Sequence, residues 1–218
     1  MTIGRLAWIL IAPLLLASCL FPGKFTSTLD IHKDRSFTYT YVGEVFAADD
    51  AAGAASGGED GEADPAKAEA TKAAQEAKRH AAAEALAKEK GYRSVRYLGE
   101  GKFLVDYVIS GRLDHGFLFP FNSDAEAIFP WVAIEVRGDG TVRVKAPAFG
   151  DEGRGAMPGL GDKGPAKERS GTFTLTTNAE IVMHNVEDGI RPGPVQTLAW
   201  TVTPTSKTVP TAVLRLGE

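Results

Sequence analysis

Residues 25–41 read Phe-Thr-Ser-Thr-Leu-Asp-Ile-His-Lys-Asp-Arg-Ser-Phe-Thr-Tyr-Thr-Tyr. Two runs in it, Phe25 to Ile31 and Phe37 to Tyr41, alternate apolar or aromatic side chains with polar ones, and Lys33-Asp34-Arg35-Ser36 between them has turn chemistry. Alternation places every second side chain on one face of an extended chain, and a polar break between two such runs folds them back on each other. The spacing predicts a β-hairpin whose buried face sets Phe25, Leu29 and Ile31 opposite Phe37, Tyr39 and Tyr41. A lone hairpin is marginal in water, so the rest of the chain has to supply neighbouring strands and cover.

It does. Tyr92 to Leu98, Lys102 to Leu113, Phe129 to Arg137, Thr141 to Ala146, Thr172 to Thr177, Glu180 to His184, Gln196 to Thr203 and Thr211 to Leu216 all carry strand patterning. Gly138-Asp139-Gly140 is a tight-turn signal between two of them, and residues 150–171 are rich in glycine and charge, as a loop is. No repeat of 20 to 50 residues interrupts the series.

Between the hairpin and these strands the composition changes. Residues 47–90 hold 18 alanines and one other apolar residue, Leu86. Ala47 to Asp64 contains six acids and no base, with Gly53, Gly57, Gly58 and Gly61, and reads as an acidic loop. Asp64-Pro65 offers an N-cap and a proline at the first helical position, and Gly91 offers a stop, so a helix is expected over 65–90. Ala66, Ala70, Ala73, Ala77, Ala81 and Ala85 would form its docking stripe, and alanine buries so little area that docking should be weak. Such a helix is either a solvated insertion or a contact surface for a partner. The expected class is α+β: a mostly antiparallel β-sheet with one long alanine-rich helix, in a single domain over 19–218 with the insertion at 47–90.

The N-terminus has a different logic. Arg5 precedes a twelve-residue apolar run, Leu6 to Ala17, broken only by Pro13. That is too short to span a bilayer, which takes about 20 residues, and has the proportions of a signal-peptide core. Leu16-Ala17-Ser18-Cys19 resembles the bacterial lipobox, in which the cysteine takes a diacylglycerol and becomes the first residue after cleavage. Residues 1–18 are then a signal peptide and Cys19 the lipidation site. Two or more acyl chains anchor stably, since each buried CH2 contributes about 0.8 kcal/mol. Leu20 rather than aspartate after the cysteine implies the outer membrane, periplasmic face, over retention in the inner one. The five residues before Phe25 reach roughly 17 Å when extended, so the domain should ride close to the bilayer.

The remaining figures mostly exclude. With 218 residues and a single cysteine, no internal disulfide and no paired-cysteine metal or redox motif can form. The net charge of −4 gives no basic face for nucleic acid, and residues 47–90 carry all of it. Gly159 to Gly164 matches the dinucleotide spacing GxGxxG, yet no strand precedes it and Pro165 follows, so no cofactor is expected. His32, His80, His115 and His184 are scattered, and adjacent Met183 and His184 would point to opposite sheet faces, so no metal is expected. There is no GxSxG serine, and Asp124 with Glu126 is an ordinary loop spacing. No catalytic residue is assigned, and the protein is expected not to be an enzyme.

One segment stands out: Phe117-Leu118-Phe119-Pro120-Phe121, followed by Phe129-Pro130-Trp131. It is apolar on both faces, so it must be core, line an apolar cavity or touch lipid. Phe117, Phe119, Phe121, Phe129 and Trp131 are therefore the candidate ligand-binding residues.

Taken together, the lipobox at Cys19, the hairpin from Leu29 to Thr38, the junction Gly91-Tyr92 and the stretch Leu198-Ala199-Trp200-Thr201-Val202 resemble LppM-type bacterial lipoproteins. That resemblance implies an exported, membrane-tethered α+β domain that binds amphiphilic envelope molecules and assigns no site residue beyond Cys19. The partners expected are the membrane, through Cys19, and a lipid or other amphiphile. The alternative is an envelope scaffold that meets other proteins through the 65–90 helix.

Overall fold

A computed structural model of the chain describes residues 20–47, 65–120, 130–151 and 165–217. Strand β1 is Leu20–Ile31 and β2 is Ser36–Ala47. Both are longer than their apolar pattern, because Leu20, Phe21 and Pro22 pair with Ala47, Phe46 and Val45 beyond a bulge between Pro22 and Phe25. Leu29 faces Tyr39 and Ile31 faces Phe37, as the alternation requires. Phe25, however, lies opposite Gly43 and Tyr41 opposite Ser27, since the turn after Ile31 sets the register for the whole hairpin. With no side chain at Gly43, the Phe25 ring leans over and stacks on Tyr41 at 5.6 Å between centroids.

Helix α1 is Pro65–Leu86, followed by β3 (Tyr92–Gly99), β4 (Lys102–Arg112), β5 (Phe117–Phe119), β6 (Val132–Val136) and β7 (Thr141–Lys145). Then come β8 (Ser170–Thr177), β9 (Glu180–His184), β10 (Gln196–Val202) and β11 (Thr211–Arg215), with 3-10 turns at Pro147–Phe149 and Pro165–Glu168. One sheet has the order β10-β8-β1-β2-β4-β3 and the other β5-β6-β7-β11-β9. Every pairing is antiparallel except β1 with β8, which run parallel from Lys24–Ser170 to Ile31–Thr177. The fold is α+β with β dominant, and its two sheets share one apolar core.

Inward residues of the first sheet are large and buried: Leu29 and Ile31, Tyr39 and Tyr41, Phe173 and Leu175, Leu198 and Trp200. Its outward face carries rows of threonine, such as Thr201, Thr172 and Thr26, or Thr174, Thr28 and Thr40, in register across neighbouring strands. β-branched polar side chains suit a pleated, solvated face. One inward position has no room at all. A Cβ on Gly171 would lie 2.1 Å from the Phe25 carbonyl oxygen, because the Phe25 ring and backbone fill the space a side chain would take.

The insertion is shorter than its composition suggests. Ala47 belongs to β2, and its N–H donates to Gly101 O at 2.8 Å. The helix ends at Leu86 instead of Lys90: Lys88 N–H bonds Ala85 O and Glu89 N–H bonds Leu86 O, tighter turns that unwind the chain before Gly91, whose φ is +97°. Nor does the alanine stripe dock. Ala70, Ala73, Ala77, Ala81 and Ala85 are exposed, while Arg79 and Ala83 are buried against the sheet and Glu76, Ala82 and Leu86 are partly covered. Alanine makes one helix face worth nearly as much as another, so polar anchors choose the orientation. Tyr97 on β3 donates its hydroxyl to Glu76 at 2.7 Å, and Arg79 bonds Glu76 at 3.2 Å.

Candidate functional site

The aromatic segment is assembled on β5, which pairs with β6 so that Phe119 faces Val132 and Phe117 faces Ile134. Alternation turns Phe117 and Phe119 toward the first sheet and leaves Leu118 exposed outside. Phe119 lies 5.0 Å from Tyr39, 4.6 Å from Tyr107, 5.7 Å from Tyr41 and 5.7 Å from Trp131, measured between ring centroids. Phe117 is only partly buried and packs on Phe37 at 5.2 Å and Tyr39 at 5.6 Å. Offset and edge contacts of this kind add about 0.5–1.5 kcal/mol each beyond the area they bury.

Trp131 joins the same cluster from just before β6. Its backbone N–H bonds Phe119 O at 2.6 Å, and its indole Nε1 donates to Leu20 O at 3.2 Å. Phe119 and Trp131 are 3% and 2% exposed, so a ligand reaches them only by displacing protein. Phe117 is the accessible edge of the group. Phe121 and Phe129 lie outside the described residues, as do Cys19, the Asp124–Glu126 pair and the glycine motif at 159–164.

The cluster is chemically quiet. Burial pushes the Tyr92 hydroxyl up to about 12, with the neighbouring Tyr107 and Glu89 adding to the effect. Burial likewise drives Tyr39 and Tyr41 well above the ordinary tyrosine range, although Ser27 Oγ, 3.2 Å from the Tyr39 hydroxyl, opposes the shift there. These side chains therefore stay neutral and serve as packing and hydrogen-bonding groups.

A second concavity was not signalled by the sequence. A cleft of about 230 Å³ opens beside β10, lined by the rings of Phe149 and Trp200 and by Asn185, Glu187, Asp188 and Lys207. Asn185 braces it: its Oδ1 accepts from Trp200 Nε1 at 3.1 Å and Thr211 N–H at 2.9 Å, and its Nδ2 donates to Val209 O at 2.7 Å. Next to it Arg169, 3% exposed, donates to the carbonyl oxygens of Ala148, Gly150, Thr203 and Ser206 at 2.8 to 3.4 Å. That guanidinium ties three loops together, and its fork geometry suits several acceptors at once.

The histidines remain apart. His32 sits 3.1 Å from Asp30 at a sheet end, His80 meets the Tyr97 ring edge-on at 4.8 Å, and His115 is exposed. His184 pairs with buried Ala212 and Met183 with Val213 on the other face, so the two neighbours diverge as alternation requires. Among the described residues there is no group of three or more His, Cys, Asp or Glu side chains that could hold a metal ion. Among them, too, no helix is long and apolar enough to cross a membrane.

No family model matches the chain, and no curated protein matches it. Among solved structures, the NMR structure of the folded domain of the Mycobacterium tuberculosis LppM protein is similar over 91% of this chain and 94% of that one. The sequences are 14% identical over the match and the TM-score is 0.40.

Proposed function

We propose that this chain is a bacterial envelope lipoprotein without catalytic activity, anchored through acylated Cys19 to the periplasmic face of the outer membrane and binding a lipid or other amphiphilic envelope component. The anchoring is supported by the sequence: the apolar run Leu6 to Ala17 ends in Leu16-Ala17-Ser18-Cys19, directly ahead of Leu20 in β1.

Amphiphile binding draws on the aromatic group of Phe117, Phe119 and Trp131, extended in sequence by Phe121 and Phe129. Phe117 offers the reachable edge, with Phe119 and Trp131 as the wall behind it. The experiment is intact and native mass spectrometry of the full chain purified from a Gram-negative host. Acylation adds a diacylglycerol mass to a chain beginning at Cys19, and Cys19→Ser abolishes both processing and the added mass. A co-purifying lipid that is lost on organic extraction, and is reduced in Phe117→Ser, supports binding. A correctly acylated chain that carries no lipid and takes up none from detergent micelles overturns it.

A second reading, an envelope scaffold, is favoured by the outward alanine seam of α1, where Ala73, Ala77 and Ala81 leave room for the close approach of another helix. Ala77→Glu with Ala81→Glu should leave the fold intact and remove such a partner in cross-linking, while leaving lipid binding unchanged.

A further inference from the structure

We infer that the pole of the sandwich where β1 begins lies against the lipid bilayer, with the turn between β3 and β4 as its contact. This rests on the acylation of Cys19 proposed above and adds to it an orientation. Little chain separates that pole from the anchor. Leu20 is already strand: it pairs with Ala47, and its carbonyl oxygen accepts the Trp131 indole at 3.2 Å. A lipid attached at the preceding residue is thus one peptide unit, about 3.8 Å from Cα to Cα, from a rigid sheet. The five residues from Leu20 to Lys24, short as a tether in any case, are themselves part of β1.

The register then decides what sits beside the anchor. Phe46 faces Lys102 across β2 and β4, and Ala47 N–H bonds Gly101 O at 2.8 Å, so the β3–β4 turn stands next to Leu20. Leu98, at the end of β3 before that turn, is 52% exposed, more than any other large apolar side chain described. A single exposed leucine is ordinary on a protein surface. One held at the same level as a lipid anchor meets acyl chains or headgroups instead of water.

Lys102 lies with its ammonium over the Phe46 ring at 4.9 Å and 3.4 Å from Glu44, and Glu100 stands on the same turn. Both signs of charge are present, so the contact needs no anionic lipid. The far pole is of another kind. Lys33, Asp34, Arg35, Arg137 and Asp139 cluster there on two turns, linked through Gly217 N–H to Lys33 O and Leu216 N–H to Gly140 O. The length of β1 puts it about 37 Å away at roughly 3.3 Å per residue.

The test uses the full acylated chain in phosphatidylcholine vesicles, with Cys19 sulfur blocked by its own thioether. A fluorophore is attached at Leu98→Cys or at Gly138→Cys, where a Cβ meets nothing within 4 Å. Doxyl-labelled phosphatidylcholine should quench the label at 98 strongly and the label at 138 not at all. Both proteins should keep the parent far-UV spectrum. Equal quenching at the two sites, stronger quenching at 138, or none at either in an acylated, vesicle-bound protein overturns the orientation alone. A chain whose intact mass shows no diacylglycerol overturns the lipoprotein reading, and the orientation with it.

Discussion

Phe119 shows how much one side chain carries in this molecule. Four aromatic rings surround it, contributed by β2, β4 and the start of β6, and it is the point where the second sheet's edge meets the first. Phe119→Ala should lower the free energy of unfolding by about 3–5 kcal/mol, the usual cost of an emptied aromatic core site, read from urea denaturation. Phe117→Ala, at a half-buried rim position, should cost on the order of 1 kcal/mol. Near-equal small losses would mean that Phe119 is not core. Sequence alone marked these residues as apolar on both faces but could not divide core from rim, because burial depends on where the other sheet lies. Arg169 is the opposite case, unremarkable in sequence because its four carbonyl acceptors come from positions 148, 150, 203 and 206.

At the scale of elements, α1 is held by few groups. Among its described side chains Ala83 and Arg79 are buried, and Tyr97 donates a hydrogen bond to Glu76. Its backbone amides should therefore exchange with deuterium well before those of β1, β2 and β8, as expected for a unit with a small share of the core. Glu76→Ala should widen that difference, costing about 1 kcal/mol locally by leaving the partly buried Tyr97 hydroxyl without its acceptor. Exchange of α1 as slow as that of the central strands would contradict this picture. The helix's existence was legible from alanine content, Pro65 and Gly91, but its docking face was not. A stripe of alanines differs too little in area from the rest of the surface to fix a rotation, and the Glu76–Tyr97 contact that fixes it is a long-range one.

For the molecule as a whole, the buried tyrosines make stability sensitive to alkali. Burial pushes Tyr92 up to about 12 in the fold against 10 in the unfolded chain, and raises Tyr39 and Tyr41 well above 10 as well. A folded pKa raised above the unfolded one means that the native state keeps a proton the unfolded chain releases. That stabilisation is fully present below pH 10 and is lost as pH climbs through the folded values. The urea midpoint should stay flat from neutrality to the ordinary tyrosine range and fall steeply above it. Tyr92→Phe should make the fall between 10 and about 12 shallower by one tyrosine's share, leaving the shares of Tyr39 and Tyr41. A midpoint indifferent to pH across that range would show these hydroxyls to be solvated.

By itself the sequence determined most of the strands, the helix and the α+β class, since each is written in local patterns of period 2 or in alanine content. Tertiary structure alone decided that β1 pairs in parallel with β8, that Phe119 and Trp131 face inward, that the alanine stripe faces out, and that Leu20 to Lys24 belong to β1. Those outcomes turn on which surfaces meet after the chain has folded back, over 21 residues for Glu76 and Tyr97 and 146 for Asp30 and Thr176. Local preference is silent there, because the energy that settles the matter comes from burial and hydrogen bonds between residues far apart in the chain.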